Sequence, residues 1–165
     1  MKKYLIALAL PLLSGVTLAA PSASAPALAI LAQSGPLCYS ADVTVNDKTD
    51  PALSKQAEAI MLKTLNGLAL SAKQYDAADT CDRELIFNFA VDNAGPPTIY
   101  IDSLRLETYN ATDGSIQLKH ASVWRSSYWG GDAKVYSTAT FTKKMQDNLV
   151  NMLGEFTTDY KSIVK

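Results

Sequence analysis

Histidine occurs once in the 165 residues, at His120, and cysteine twice, at Cys38 and Cys81. One imidazole leaves zinc chemistry without its usual set of several His, Cys and carboxylate ligands. Neither a Gly-x-Ser-x-Gly elbow nor a reactive cysteine context accompanies His120, so a nucleophile and base pair is not indicated. No Gly-rich phosphate loop and no internal repeat is present. No basic run exceeds two residues, which excludes the clustered Lys/Arg face that nucleic acid requires. The acidic stretch from Tyr75 to Glu84 carries four carboxylates but lacks the alternating spacing and central glycine of a calcium loop. It reads as a solvated connection. From these absences the expectation is no catalytic motif, no metal site and no cofactor.

An uninterrupted apolar run of about 20 residues, the length that spans a bilayer, is also missing. What stands at the N-terminus is shorter: a basic head, Met1-Lys2-Lys3, then an apolar stretch broken by Pro11, Ser14 and Gly15 that fades into Pro21-Ser22-Ala23-Ser24-Ala25-Pro26. That is the layout of a secretory signal, cleaved somewhere between 19 and 32, where several small-x-small sites lie. A lipid anchor would need a cysteine close behind the apolar core, and Cys38 comes too late. The expected division is a signal peptide over 1–25, a loop leader over 26–37 and one domain over 38–165, with no stable membrane span after cleavage. Loss of Lys2 and Lys3 leaves 13 basic against 16 acidic residues, a mildly acidic surface. About 135 remaining residues suffice for one hydrophobic core.

Oxidising compartments favour disulfides, and the two cysteines show no CxxC redox spacing, so a structural Cys38–Cys81 bridge is expected. Each precedes a strand-like segment by four residues, Asp42 to Asn46 and Leu85 to Asp92. Parallel neighbouring strands would bring both cysteines to one end of a sheet.

Along the chain, Tyr39, Ala41, Val43 and Val45 alternate with polar residues, as do Leu85, Phe87, Phe89 and Val91, the clearest strand. Between them Asp50-Pro51 reads as an N-cap with proline at the first helical position. Leu53, Ala57, Ile60, Met61, Leu65, Leu68 and Ala72 then share a helical stripe. After the turn at Gly95-Pro96-Pro97, Ile99 and Ile101 have one parity and Leu104 and Leu106 the other, which predicts a bulge or bend around Asp102-Ser103. Asp113-Gly114 signals a hairpin into a strand from Ile116 to about Arg125. Arg125 to Asp132 reads as a loop, Lys134 to Phe141 as the start of a short extra strand, and a last helix begins near Thr142. The expected fold class is α+β, a two-layer sandwich in β-α-β-β-β-α order, with a small mixed sheet and two amphipathic helices on one face. The other face should be polar, from Thr44, Asn46, Asn88 and Asp92.

His120 shares the parity of Ile116, Leu118 and Trp124, so it is expected to face the helices or the sheet edge as a hydrogen-bonded structural residue. The unusual cluster is Trp124, Arg125, Tyr128, Trp129 and Asp132, which holds both tryptophans of the chain. Trp, Tyr and Arg concentrate at binding hot spots. The plainer alternative is that Trp124 belongs to the core and Trp129 caps it. The functional expectation is a bacterial exported envelope protein acting as a non-enzymatic binding or assembly-accessory module, its partner an envelope protein or glycan. Two alternatives remain beside it: a small secreted hydrolase using carboxylates or His120, and a structural subunit of a surface assembly.

Overall fold

The computed structural model describes residues 35–76, 81–109, 111–113, 116–118 and 120–163. The signal peptide, most of the leader and the cleavage window lie outside these residues. The first strand, β1 (Leu37–Val45), alternates as its sequence requires, with Tyr39 and Val43 buried and Asp42 exposed. A tight turn through Asn46 and Asp47, both at positive φ, reverses it into the two-residue β2 (Lys48–Thr49). Helix α1 (Pro51–Gly67) starts where predicted: the Asp50 carboxylate accepts from the N–H groups of Ala52 and Leu53, and Pro51 needs no acceptor. The helix ends at Gly67, earlier than the apolar stripe implied, because Ala69 takes a positive φ and the chain turns into β3 (Ala72–Gln74).

Three long strands follow or flank this unit: β4 (Arg83–Asp92), β5 (Thr98–Thr108) and β8 (Ala121–Asp132). A separate two-stranded hairpin, β6 (Ala111–Asp113) and β7 (Ile116–Leu118), stands between the last two. The main sheet has the order β2-β1-β4-β5-β8, with β3 alongside the first half of β1. Strands β1 and β4 are parallel over eight pairs from Cys38↔Glu84 to Val45↔Val91; β4, β5 and β8 form an antiparallel meander. Helix α2 (Thr138–Ile163) closes the chain. Both helices lie on one face, α1 against β1 and α2 across β4, β5 and β8.

The core lies between these layers. Val43, Phe87, Phe89, Leu104, Leu106 and Trp124 project from the sheet onto Ala57, Met61 and Leu65 of α1 and Met145, Leu149, Met152 and Phe156 of α2, all buried. Cys38 and Cys81 are joined, with their Cα atoms 6.1 Å apart, at the end of the sheet where the parallel strands start. The α+β class, the helices on one face, the parallel first pair and the disulfide are as the sequence implied.

Four local expectations fail, each for a tertiary reason. Strand β5 has no bulge at Asp102-Ser103: Ile99 and Ile101 keep their parity because they point away from the helices, and the register shift falls instead at Leu106/Glu107. The segment Arg125 to Asp132 is strand, since it pairs with β5 from Arg105↔Arg125 to Thr98↔Asp132. Its two glycines serve that pairing. A Cβ on Gly130 would enter the Tyr100 ring, and one on Gly131 would meet the Thr98 carbonyl. The hairpin at Asp113 forms, but its second strand stops at Leu118, and His120 at φ 54° redirects the chain before β8. The final helix begins at Thr138 rather than Thr142, and Lys134 to Phe141 contains no strand: Ser137 caps the helix, its Oγ 3.2 Å from the Thr140 nitrogen.

Candidate functional site

Because β8 is a strand and not a loop, alternate residues face opposite sides of the sheet. The five residues singled out in the sequence are therefore divided. Trp124 and Tyr128 face the helices. Trp124 is fully buried, its ring set edge-on to Phe156 with centroids 5.3 Å apart, and its Nε1 donates to Asp159 Oδ2 at 2.9 Å. The Tyr128 hydroxyl donates to Glu155 of α2, and burial, together with that carboxylate, pushes its pKa up to about 12. These two residues fasten β8 to α2. Arg125 and Trp129 face the other way, on the face that carries no helix among the described residues. Asp132 ends the strand and accepts from the Lys134 N–H at 3.2 Å.

Beside Tyr128 lies a carboxylate that the sequence did not single out. Asp102 is 1% exposed, accepts from the Tyr128 N–H at 3.0 Å and from Asn148 Nδ2 at 2.7 Å, and sits between sheet and α2. Loss of water pushes its pKa up to about 6, and the two hydrogen bonds only partly oppose that. The folded chain thus holds this proton more tightly than the unfolded chain. Its contribution to stability is complete only below about pH 4, falls as pH rises from there through about 6, and the loss is at most about 3 kcal/mol above that. Urea unfolding of wild type and Asp102→Asn from pH 4 to 8 should show wild type losing stability relative to the variant as pH rises. A difference that stays level across this range would show that Asp102 titrates normally.

The open face carries the most exposed large apolar side chains of the described sheet. Ile99, Ile101 and Trp129 are 57%, 57% and 64% exposed. They are neighbours by register: Ile101 is opposite Trp129, while Ile99 is opposite Gly131 and so has no side chain beside it in β8. Ala90 continues the Ile101 row into β4. Ser103↔Ser127 and Arg105↔Arg125 form the next rows, a polar border along the same two strands. The face is therefore not uniformly polar, as Thr44, Asn46, Asn88 and Asp92 suggested.

At the opposite end of this face is a second constellation. Glu84 and Glu107 stand directly across from each other on β4 and β5, an arrangement that repels unless each carboxylate is compensated. Glu84, 4% exposed, accepts from Ser40 Oγ at 2.6 Å and the Tyr109 hydroxyl at 2.9 Å. Glu107 takes Arg105 Nε at 2.6 Å and His120 Nε2 at 2.9 Å. The His120 ring stacks on Tyr109, centroids 5.2 Å apart. His120 is thus exposed over the open face at the foot of the hairpin, and does not face the helices. Every carboxylate oxygen of the pair has a named partner, so the cluster stabilises the junction between the sheet and the hairpin.

Among the described residues no group of three His, Cys, Asp or Glu side chains is placed to hold a metal ion, and no helix is long and apolar enough to cross a membrane. The concavities are shallow; the cleft beside Lys55, Glu58 and Gln74, about 500 Å³, opens widely to solvent where β2 and β3 leave the middle of β1 uncovered. The chain matches no protein-family model and no curated protein.

Proposed function

We propose that this chain is an exported bacterial envelope protein that works as a binding or assembly-accessory module, engaging its partner through the open sheet face along β5 and β8. The observation that carries this reading is the contiguous exposure of Ile99, Ile101 and Trp129 beside a polar border, on a face that the chain's own helices leave uncovered. Aromatic and aliphatic side chains grouped in this way, with an arginine at the margin, are the composition of an interface centre. The buried half of the original cluster, Trp124 and Tyr128, supports the platform from beneath and does not itself meet a partner. Export is supported by the signal-like N-terminus and by the Cys38–Cys81 bridge, which persists in oxidising compartments.

The test is mild crosslinking of the tagged full chain in its own cells, followed by purification from the envelope fraction. A defined protein or glycan should accompany wild type and be lost from Trp129→Ala, and the recovered protein should begin downstream of a cut between 19 and 32. Equal profiles for the two would remove the open face as the contact surface, and recovery from the cytoplasm with residue 1 intact would remove export.

The hydrolase reading has one foothold, the opposed Glu84 and Glu107 with His120 against them. Any hydrolytic activity carried by that cluster should disappear in His120→Ala. An activity that survives the substitution excludes it.

A further inference from the structure

The two edges of the sheet are treated differently. Along β1, the short strands β3 and β2 cover the first and last residues and leave only the middle open. Along β8, twelve residues long, no strand pairs on the outer side among the described residues. Exposed edges in natural proteins are usually blunted by lysine, proline, shortness or a bulge, and the one register shift on β8 lies before Trp124, leaving Trp124 to Asp132 in regular pairing. β8 contains neither lysine nor proline.

The side chains of β8 also complement their own reverse. With two copies of the strand antiparallel and Ser127 on the twofold axis, Arg125 of each copy falls opposite Trp129 of the other. Both residues are on the open face, so each guanidinium can lie over an indole. No like charges face each other. A slip that puts Arg125 opposite Arg125 would oppose two cations and is disfavoured, whereas the first register alone sets each Arg125 directly opposite a Trp129.

We infer that β8 is a homodimer interface, in which two copies join edge to edge in this register and their sheets form one continuous surface carrying both Ile99, Ile101 and Trp129 patches. A twofold pairing of one strand with itself is the isologous contact that closed dimers use. The inference deepens the proposed function by naming a partner for the same region, and it rests on that reading only for the claim that the face is a contact surface.

Sedimentation of the purified, oxidised protein from about 1 to about 100 micromolar tests it. The expected result is a monomer–dimer equilibrium within that range, weakened about tenfold or more by Arg125→Glu, which removes both guanidinium–indole contacts. Ser127→Cys should give a disulfide-linked dimer on oxidation, because residue 127 meets itself on the axis. Ser122→Cys should not, since residue 122 lies opposite Asp132. A wild type that stays monomeric throughout overturns the inference, as does a dimer linked as readily through residue 122 as through 127. If the purified protein is monomeric while an envelope partner is still lost in Trp129→Ala, the homodimer falls and the binding reading stands. If the protein is monomeric and the partner profile is also unchanged, both fall.

Discussion

Trp124→Ala is expected to lower the stability of the fold by about 4 kcal/mol, as measured by urea unfolding. The indole is fully buried beneath α2 and packed edge-on against Phe156, so its removal opens a cavity between β8 and the helix. A smaller part of the loss is the hydrogen bond to Asp159. That carboxylate is only half-buried and can regain water, so Trp124→Phe, which keeps most of the ring, should lose about 1–2 kcal/mol. Trp129→Ala, five residues along the same strand, removes a ring that is 64% exposed and should change stability by about 0.5 kcal/mol or less. The contrast is the essential part of the expectation. Similar losses for the two alanine variants would mean that Trp129 packs into the fold, and would remove the basis for reading the open face as a contact surface.

Loss of the disulfide is expected to have an effect of the same size. The bridge between Cys38 and Cys81 closes a loop 43 residues apart in sequence, which in the chain-entropy model stabilises the fold by about 4 kcal/mol. It also joins the starts of β1 and β4, the one parallel pair among the long strands. Parallel strands are linked only through a long crossover, here α1 and β3, so little local structure holds their ends in register when the bridge is absent. Unfolding the oxidised protein and the Cys38→Ser/Cys81→Ser double variant in urea should show the full difference as a lower midpoint. A difference under about 1 kcal/mol would show that the crossover and core alone hold the parallel pair.

Strong local signals carried the correct part of the fold. Alternation in Leu85 to Asp92, the Asp50-Pro51 start of α1 and the apolar stripe from Met145 to Phe156 each rest on a local pattern that agrees with burial, and each appears in place. The periodicity of Ile99 and Ile101 implies a bulge only where apolar residues are buried, and these two are exposed. A face that is apolar without being covered produces the same alternation, and only the position of the helices distinguishes the two. Gly130-Gly131 is ambiguous in a similar way. Glycine marks a loop when the backbone needs freedom, and marks a strand when a neighbour occupies the place of its Cβ. That neighbour, Tyr100 or Thr98, lies some thirty residues away in sequence.

The candidate site was legible as a list of residues and not as a surface. Trp124, Arg125, Tyr128, Trp129 and Asp132 are close in sequence, but strand geometry sends Trp124 and Tyr128 to the core and Arg125 and Trp129 to the open face. Ile99 and Ile101 join the surface through cross-strand register, and Asp102 joins the buried side through α2; neither connection has a signal in the local sequence. The opposed glutamates were equally invisible, since Glu84 and Glu107 become neighbours only when β4 and β5 pair.

The sequence by itself determined the α+β class, the cysteine pairing, the first helix with its cap and the clearest strands. These depend on composition and on periodicities within about fifteen residues, which the physics of one helix or strand enforces alone. The tertiary structure decided which face of each strand is covered, which edge of the sheet is left bare, and which distant residues share a surface. Those properties arise from register and layer packing, where one residue's surroundings are set by others far along the chain.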